Sequence, residues 1–309
     1  MPIRLLLGPL ALALVLATSA CTGHAIMPSQ PASTASAFVS DRIGVLVEGE
    51  GPDVILIPGL SSSPEVWEGT LAHLRGRYRV HRIHVGGFAG QPAGANSQGP
   101  VAAPVAEEIA RYVRENGLER PALIGHSMGG TIAMMVAARH PDATGGIMVV
   151  DMIPFVGAMF GAPGATVEDI RPIADQIRAM QAGSPRALWD AQAEQTINGM
   201  INTEAMRPMA LRHSRASDQQ VSATAFHELA TTDLTREISA ITVPVSVLYV
   251  TFNDARMTPE MTDAIYRASY ANQPSARLVR IEDSAHFIMF DQPARFYAEV
   301  DSFLAGLER

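Results

Sequence analysis

The chain has 309 residues, 47% of them hydrophobic and 17% charged, with a formal net charge of −8 and a pI near 5.6. That balance describes a globular protein able to bury a large core, and its acidity argues against nucleic acid, which asks for a basic face. Cys21 is the sole cysteine, which excludes an internal disulfide and a cysteine-held metal cluster.

The first segment, Met1–Cys21, carries Arg4, then an apolar run from Leu5 to Ala17, then the small residues Thr18-Ser19-Ala20 before Cys21. A charged start, an apolar middle and a small-residue end make a secretory signal, and the apolar run is short for a membrane span. Thr18-Ser19-Ala20-Cys21 also resembles a bacterial lipobox, with Thr18 where Leu is usual. On that reading Cys21 is lipidated and tethers the chain to a membrane in the periplasm or cell envelope. Cleavage with release, and an uncleaved anchor, are the alternatives. Residues 22–37 are rich in Pro, Ser and Ala and read as a flexible linker. About 270 residues remain, enough for one large α/β domain with an insertion.

In chain order, Phe38–Glu50 alternates and reads as an opening antiparallel hairpin. Short apolar runs without alternation follow at Val54–Ile57, Ala122–Ile124, Ile147–Val150 and Val245–Val250, with a weaker one at Arg277–Ile281. Strands buried on both faces look like this. Tyr78–Val85 alternates and is a further strand. Helical patterns occupy Trp67–Arg75, Val101–Glu115, Met128–Arg139 and Pro293–Leu307. Strand alternating with helix predicts a parallel sheet covered on both faces. From 154 to 235 the strand signal vanishes and Met- and Ala-rich helical sequence takes over, which predicts a helical cap inserted into a core of residues 38–153 and 236–309.

Gly125-His126-Ser127-Met128-Gly129 lies where a buried strand should turn into a helix. A G-x-S-x-G turn there presents the serine hydroxyl above the sheet at a helix amino end, where backbone donors can stabilise an anion. The small residues let neighbouring backbone close in. At this point the sequence resembles the α/β-hydrolase superfamily, whose triad runs Ser, then Asp or Glu, then His. "RIEDSAHFIMFDQPARF" resembles its terminal histidine loop and makes His286 the general base. "VPVSVLYVTFNDARMTPEMT" resembles its penultimate strand and loop, which favours Asp254 as the acid; Asp151, ending "IMVVD", is the alternative. The resemblance implies oxyanion donors at the amides of Met128 and of Leu60, after Pro58-Gly59, where many relatives have His-Gly. It implies neither metal nor cofactor.

Other features carry blander readings. His81 and His84 suggest a metal pair, but no third ligand is spaced to join them. His126 packs beside the nucleophile, His140 sits at a helix end, and His213 and His227 are expected in solvent on the cap. Asp233 reads as a helix cap, and Ser63-Pro64 as a helix start. The expected function is hydrolysis of a small-molecule acyl substrate, most simply a carboxylic ester with an apolar part. C–C bond hydrolysis, acyl transfer and perhydrolysis use the same triad. A non-catalytic envelope binding protein with this fold is the competing class, and the oligomeric state stays open.

Overall fold

Strand formation here follows from where each side chain can hide. Along Asp53–Ile57 (β2), Val54 and Leu56 enter one apolar cluster, while Ile55 and Ile57 enter another. Period-two alternation between two buried faces removes the polar stripe that a half-exposed strand would show. The computed structural model describes residues 38–162, 164–251 and 257–308. The leader and linker read at residues 1–37, and the favoured acid Asp254, lie outside them.

Seven strands pair among the described residues, in the order β1-β3-β2-β4-β5-β6-β7. They are β1 (Ile43–Glu48), β2, β3 (Arg79–Val85), β4 (Ala122–His126), β5 (Gly146–Val150), β6 (Val245–Tyr249) and β7 (Arg277–Arg280). All neighbours are parallel except β1, which runs antiparallel to β3 with Ile43 opposite Val85. The hairpin expected at 38–50 is therefore a single strand. Its partner is β3 and not the next strand in sequence, because β3 lies between β1 and β2.

Helices cover both faces. On one side lie α2 (Ala102–Glu115), α3 (Met128–Arg139) and α8 (Pro259–Ser269), whose Ile109, Ile132 and Tyr266 meet Ile55, Val149 and Val247. On the other lie α1 (Glu68–Leu74) and α10 (Pro293–Leu307), whose Leu71, Leu74, Phe296 and Val300 meet Val54, Leu56 and Leu248. Ser63 caps the turn before α1 by accepting from the Glu65 amide, with Pro64 following, as the sequence predicts. The chain between β5 and β6 is helical: α4 (Val167–Gly183), α5 (Arg186–Met200), α6 (Arg207–Ala216) and α7 (Gln219–Thr231).

That insertion is fastened to the core by buried polar groups. The Glu228 carboxylate on α7 accepts from the amides of Val101, Ala102 and Ala103 at 2.5, 2.7 and 2.8 Å. These are orphan donors of the first turn of α2, so an anion from the insertion caps a core helix. A short last helix, α9 (Ile288–Asp291), precedes α10.

Candidate active site

The turn from β4 into α3 is strained, and glycines make it possible. Ser127 sits at φ 52°, ψ −121°, in a region that costs a non-glycine residue about 1–3 kcal/mol. A Cβ on Gly125 would fall closer than 3.0 Å to the Gly129 carbonyl oxygen, and one on Gly129 equally close to that of Ile57. Backbone therefore occupies both side-chain positions. Neither glycine itself has a positive φ; close approach is what each provides. The Ser127 amide donates to Val150 O at 2.8 Å, which ties the elbow to the end of β5.

The next residue of β5's chain is Asp151, also left-handed at φ 54° and 9% exposed. Its Oδ1 accepts from the Val250 amide at 3.2 Å and the Tyr266 hydroxyl at 2.9 Å, and its Oδ2 meets His286 Nδ1 at 2.6 Å. Asp254, favoured from sequence, lies outside the described residues; among the described residues, the carboxylate that meets His286 is the alternative, Asp151. The reason is local: β5 is β4's neighbour, so the residue just past its end lies beside the elbow. Burial raises Tyr266 well above an ordinary phenol, and the Asp151 charge adds to this, so Tyr266 stays a neutral donor.

His286 is half-buried, on the loop between β7 and α9. His126 Nε2 donates to the His286 carbonyl at 3.0 Å, and the two rings are 4.5 Å apart. Burial holds His126 far below the usual imidazole value, with the nearby His286 adding to the effect. His126 is thus a neutral imidazole whose proton sits on Nε2, and it braces the histidine loop. Its place beside the nucleophile was legible in sequence; its bond to His286 was not. Asp291 braces the same loop by accepting from the Ala285 amide at 2.9 Å.

Leu60 and Met128, the expected oxyanion donors, flank the serine on separate elements. Met128 opens α3, so its amide has no helical carbonyl behind it. The loop after β2 closes on the elbow from the other side: a Cβ on Gly59 would be 3.1 Å from Ser127 Cβ. Gly59 O accepts from the Ser62 amide at 3.2 Å, which makes Gly59–Ser62 a turn with Ser61 at φ 55°.

The other histidines singled out in the sequence are bonded away from the triad. His81 and His84 are three residues apart and face different surroundings. His81 is buried between Tyr112 and Asp53, at 2.6 and 2.8 Å, while His84 Nε2 donates to Phe88 O at 3.0 Å. Among the described residues no group of three metal-ligating side chains forms. His140 reaches Glu107 at 2.8 Å, at the end of α3. The expectation of a solvent-exposed His213 is corrected, while His227 is half-buried at the surface. His213 is 5% exposed, at 3.0 Å from Ser63 Oγ and 2.9 Å from Glu65 Oε2, and His227 pairs with Asp175 at 2.8 Å. Asp233 accepts from the Thr235 amide and hydroxyl, holding a turn before the short helix at Glu237–Ala240.

A strained serine between strand and helix, with a carboxylate-seated histidine whose carbonyl is bonded by the residue just before that serine, marks a hydrolase of the serine-nucleophile α/β type. The model described as "Alpha/beta hydrolase family" matches residues 54–300, and the chain belongs to that family. It is 26% identical over 268 residues to the pimeloyl-[acyl-carrier protein] methyl ester esterase of Aeromonas hydrophila, covering 83% of this chain and 96% of that one. The enzyme of the same name from Aliivibrio salmonicida is 27% identical over 269 residues, covering 83% and 94%. Among solved structures, a thermophilic esterase from Thermogutta terrifontis superposes with a TM-score of 0.67 at 22% identity, covering 86% of this chain and 94% of its own.

Proposed function

We propose that this α/β hydrolase cleaves carboxylic esters with an apolar part, through an acyl-enzyme on Ser127. The observation that carries the reading is the 2.6 Å contact between His286 Nδ1 and Asp151 Oδ2, with His286 bonded through its carbonyl to His126 of the left-handed elbow that holds Ser127. Asp151 fixes the tautomer with the proton on Nδ1, which leaves Nε2 free to accept the Ser127 proton. Ser127 Oγ then attacks the ester carbonyl, and the amides of Met128 and Leu60 receive the oxyanion. Collapse expels the alcohol, which takes the proton from His286. Water then loses a proton to His286 and attacks the acyl group, and collapse frees the acid as Ser127 Oγ leaves and takes the proton back from His286. The relatives named as methyl ester esterases support an ester over other acyl compounds.

The test is labelling by a fluorophosphonate probe, followed by hydrolysis of p-nitrophenyl esters of graded chain length. Labelling that Ser127→Ala abolishes, with activity towards the esters, is expected. A folded protein that neither labels nor hydrolyses them refutes the reading.

Residues 1–21 are part of the same proposal as an export signal, with Cys21 as a lipid-bearing tether to the cell envelope and residues 22–37 as its spacer. The charged-apolar-small order and the lipobox-like Thr18–Cys21 support it. Cys21→Ser should move the protein from the membrane fraction to the soluble fraction; unchanged fractionation refutes the tether.

A further inference from the structure

The loop that carries the Leu60 amide is not held by the core alone. Its turn has a serine, Ser61, in the left-handed third position, which favours glycine or asparagine. The carbonyl of the Gly59–Leu60 peptide is committed to the Ser62 amide, so the turn sets the direction of the Leu60 N–H on the same peptide. Hydroxyls and a ring from the helical insertion converge on this turn. Ser222 Oγ on α7 lies 2.8 Å from Ser61 Oγ, and His213 Nε2 on α6 lies 3.0 Å from Ser63 Oγ. Between α6 and α7, Ser217 Oγ donates to His213 O at 2.9 Å and lies 3.4 Å from Ser61 O. Ser222, Ser217 and His213 are 1%, 2% and 5% exposed, so water does not compete for these bonds.

The same α6–α7 junction also grips the loop after β3. Ala89 N donates to Ser217 Oγ at 2.8 Å, Gly90 N to Ala216 O at 3.1 Å, and Asp218 N to Gly87 O at 2.7 Å. Gly87, Ala89 and Gly90 all have positive φ. Two loops of left-handed residues at the rim of the sheet are thus pinned by one corner of the insertion.

We propose that Ser222, seconded by Ser217 and His213, is a positioning residue: docking of the insertion holds the Ser61 turn and so aims the Leu60 donor at the oxyanion. The inference rests on the esterase reading above. With the insertion lifted, Ser61 loses its partner, the left-handed turn relaxes, and the oxyanion keeps one aligned donor. Catalytic competence is then tied to closure, and substrate binding without closure is unproductive.

An oxyanion donor acts only in the transition state, so misaiming it lowers kcat and spares KM. Ser222→Ala should lose about tenfold in kcat on p-nitrophenyl butyrate, with KM within about twofold. Labelling by a fluorophosphonate, whose reaction develops charge on the same oxygen, should slow by a similar factor. Ser61→Ala should match it, and the double variant should lose no more than either single one, because both remove the same contact. Ser222→Ala that labels and turns over within twofold of wild type overturns the inference. So does a loss that lies in KM, or losses that multiply in the double variant. A folded wild type that does not label sinks the esterase reading as well; a wild type that labels, with Ser222→Ala labelling equally fast, sinks this inference alone.

Discussion

Asp151→Asn changes one atom of the side chain and should cost far more than its size suggests. Three donors converge on the carboxylate: the Val250 amide and the Tyr266 hydroxyl on Oδ1, and His286 Nδ1 on Oδ2. A carboxylate accepts at both oxygens, whereas an asparagine has one acceptor and one NH2 donor. The Val250 amide cannot turn round, so the asparagine oxygen must stay on the Oδ1 side. The NH2 then faces His286 Nδ1, which has to become an acceptor, and the ring proton moves to Nε2. In that tautomer His286 cannot take the Ser127 proton. The expected loss is about 10³- to 10⁴-fold in kcat, on the order of 4–5.5 kcal/mol of transition-state stabilisation. Steady-state hydrolysis of p-nitrophenyl butyrate reads it, with circular dichroism melting to show that the variant folds. Asp254→Asn, assayed in parallel, should stay within a few-fold of wild type. Asp151→Asn that keeps more than a tenth of the activity, alongside a hundredfold loss in Asp254→Asn, refutes the reasoning and moves the acid to the β6 loop.

Gly129→Ala should destabilise the fold by about 3 kcal/mol or more, because the new Cβ meets backbone at Ile57 and Pro58 and not a side chain that can turn aside; a melting temperature equal to wild type contradicts this. Glu228→Gln removes the charge from the cap of α2 and should cost about 1–2 kcal/mol in urea unfolding; no change would mean that the insertion adds nothing to α2. Stability should also fall as pH drops below about 6.5. Burial lowers His126 well under that unfolded-state value, so the unfolded chain takes up a proton that the folded chain refuses, at up to about 1.4 kcal/mol per pH unit. Burial lowers His81, His84 and His213 in the same direction. Urea midpoints that do not fall between pH 7.5 and 5.5 contradict this.

The parts of the site built from consecutive residues were readable in the sequence. The elbow's glycines, the apolar runs on both sides of it and the histidine loop are local patterns, and a mostly parallel sheet covered by helices follows once strands alternate with helices. What the sequence hid was set by three-dimensional neighbours. Asp151 and Asp254 each follow an apolar run, so local pattern offers both, while the partners of Asp151, namely Tyr266, the Val250 amide and His286, come from distant parts of the chain. The sequence around Ile43–Glu48 alternates as a hairpin would, yet its partner comes some thirty residues later, beyond the reach of a local pattern. His213 sits on a polar helix, so exposure was the natural reading, and its burial depends on Ser63 and Glu65 from a distant loop. Helix α8 lies where the sequence resembles the loop after the penultimate strand. Thr258 caps it, accepting from the Met261 amide at 3.2 Å, with Pro259 in the first turn, a start signal present in the sequence.

The most direct test of the whole account is to trap the acyl-enzyme. The protein is mixed with p-nitrophenyl butyrate, quenched in acid within the first turnovers, digested and mapped by mass spectrometry. A butyryl group on the peptide bearing Ser127, absent in Ser127→Ala and strongly diminished in His286→Ala, is the predicted result. Acylation at another residue, or an adduct that survives the Ser127→Ala change, would contradict it.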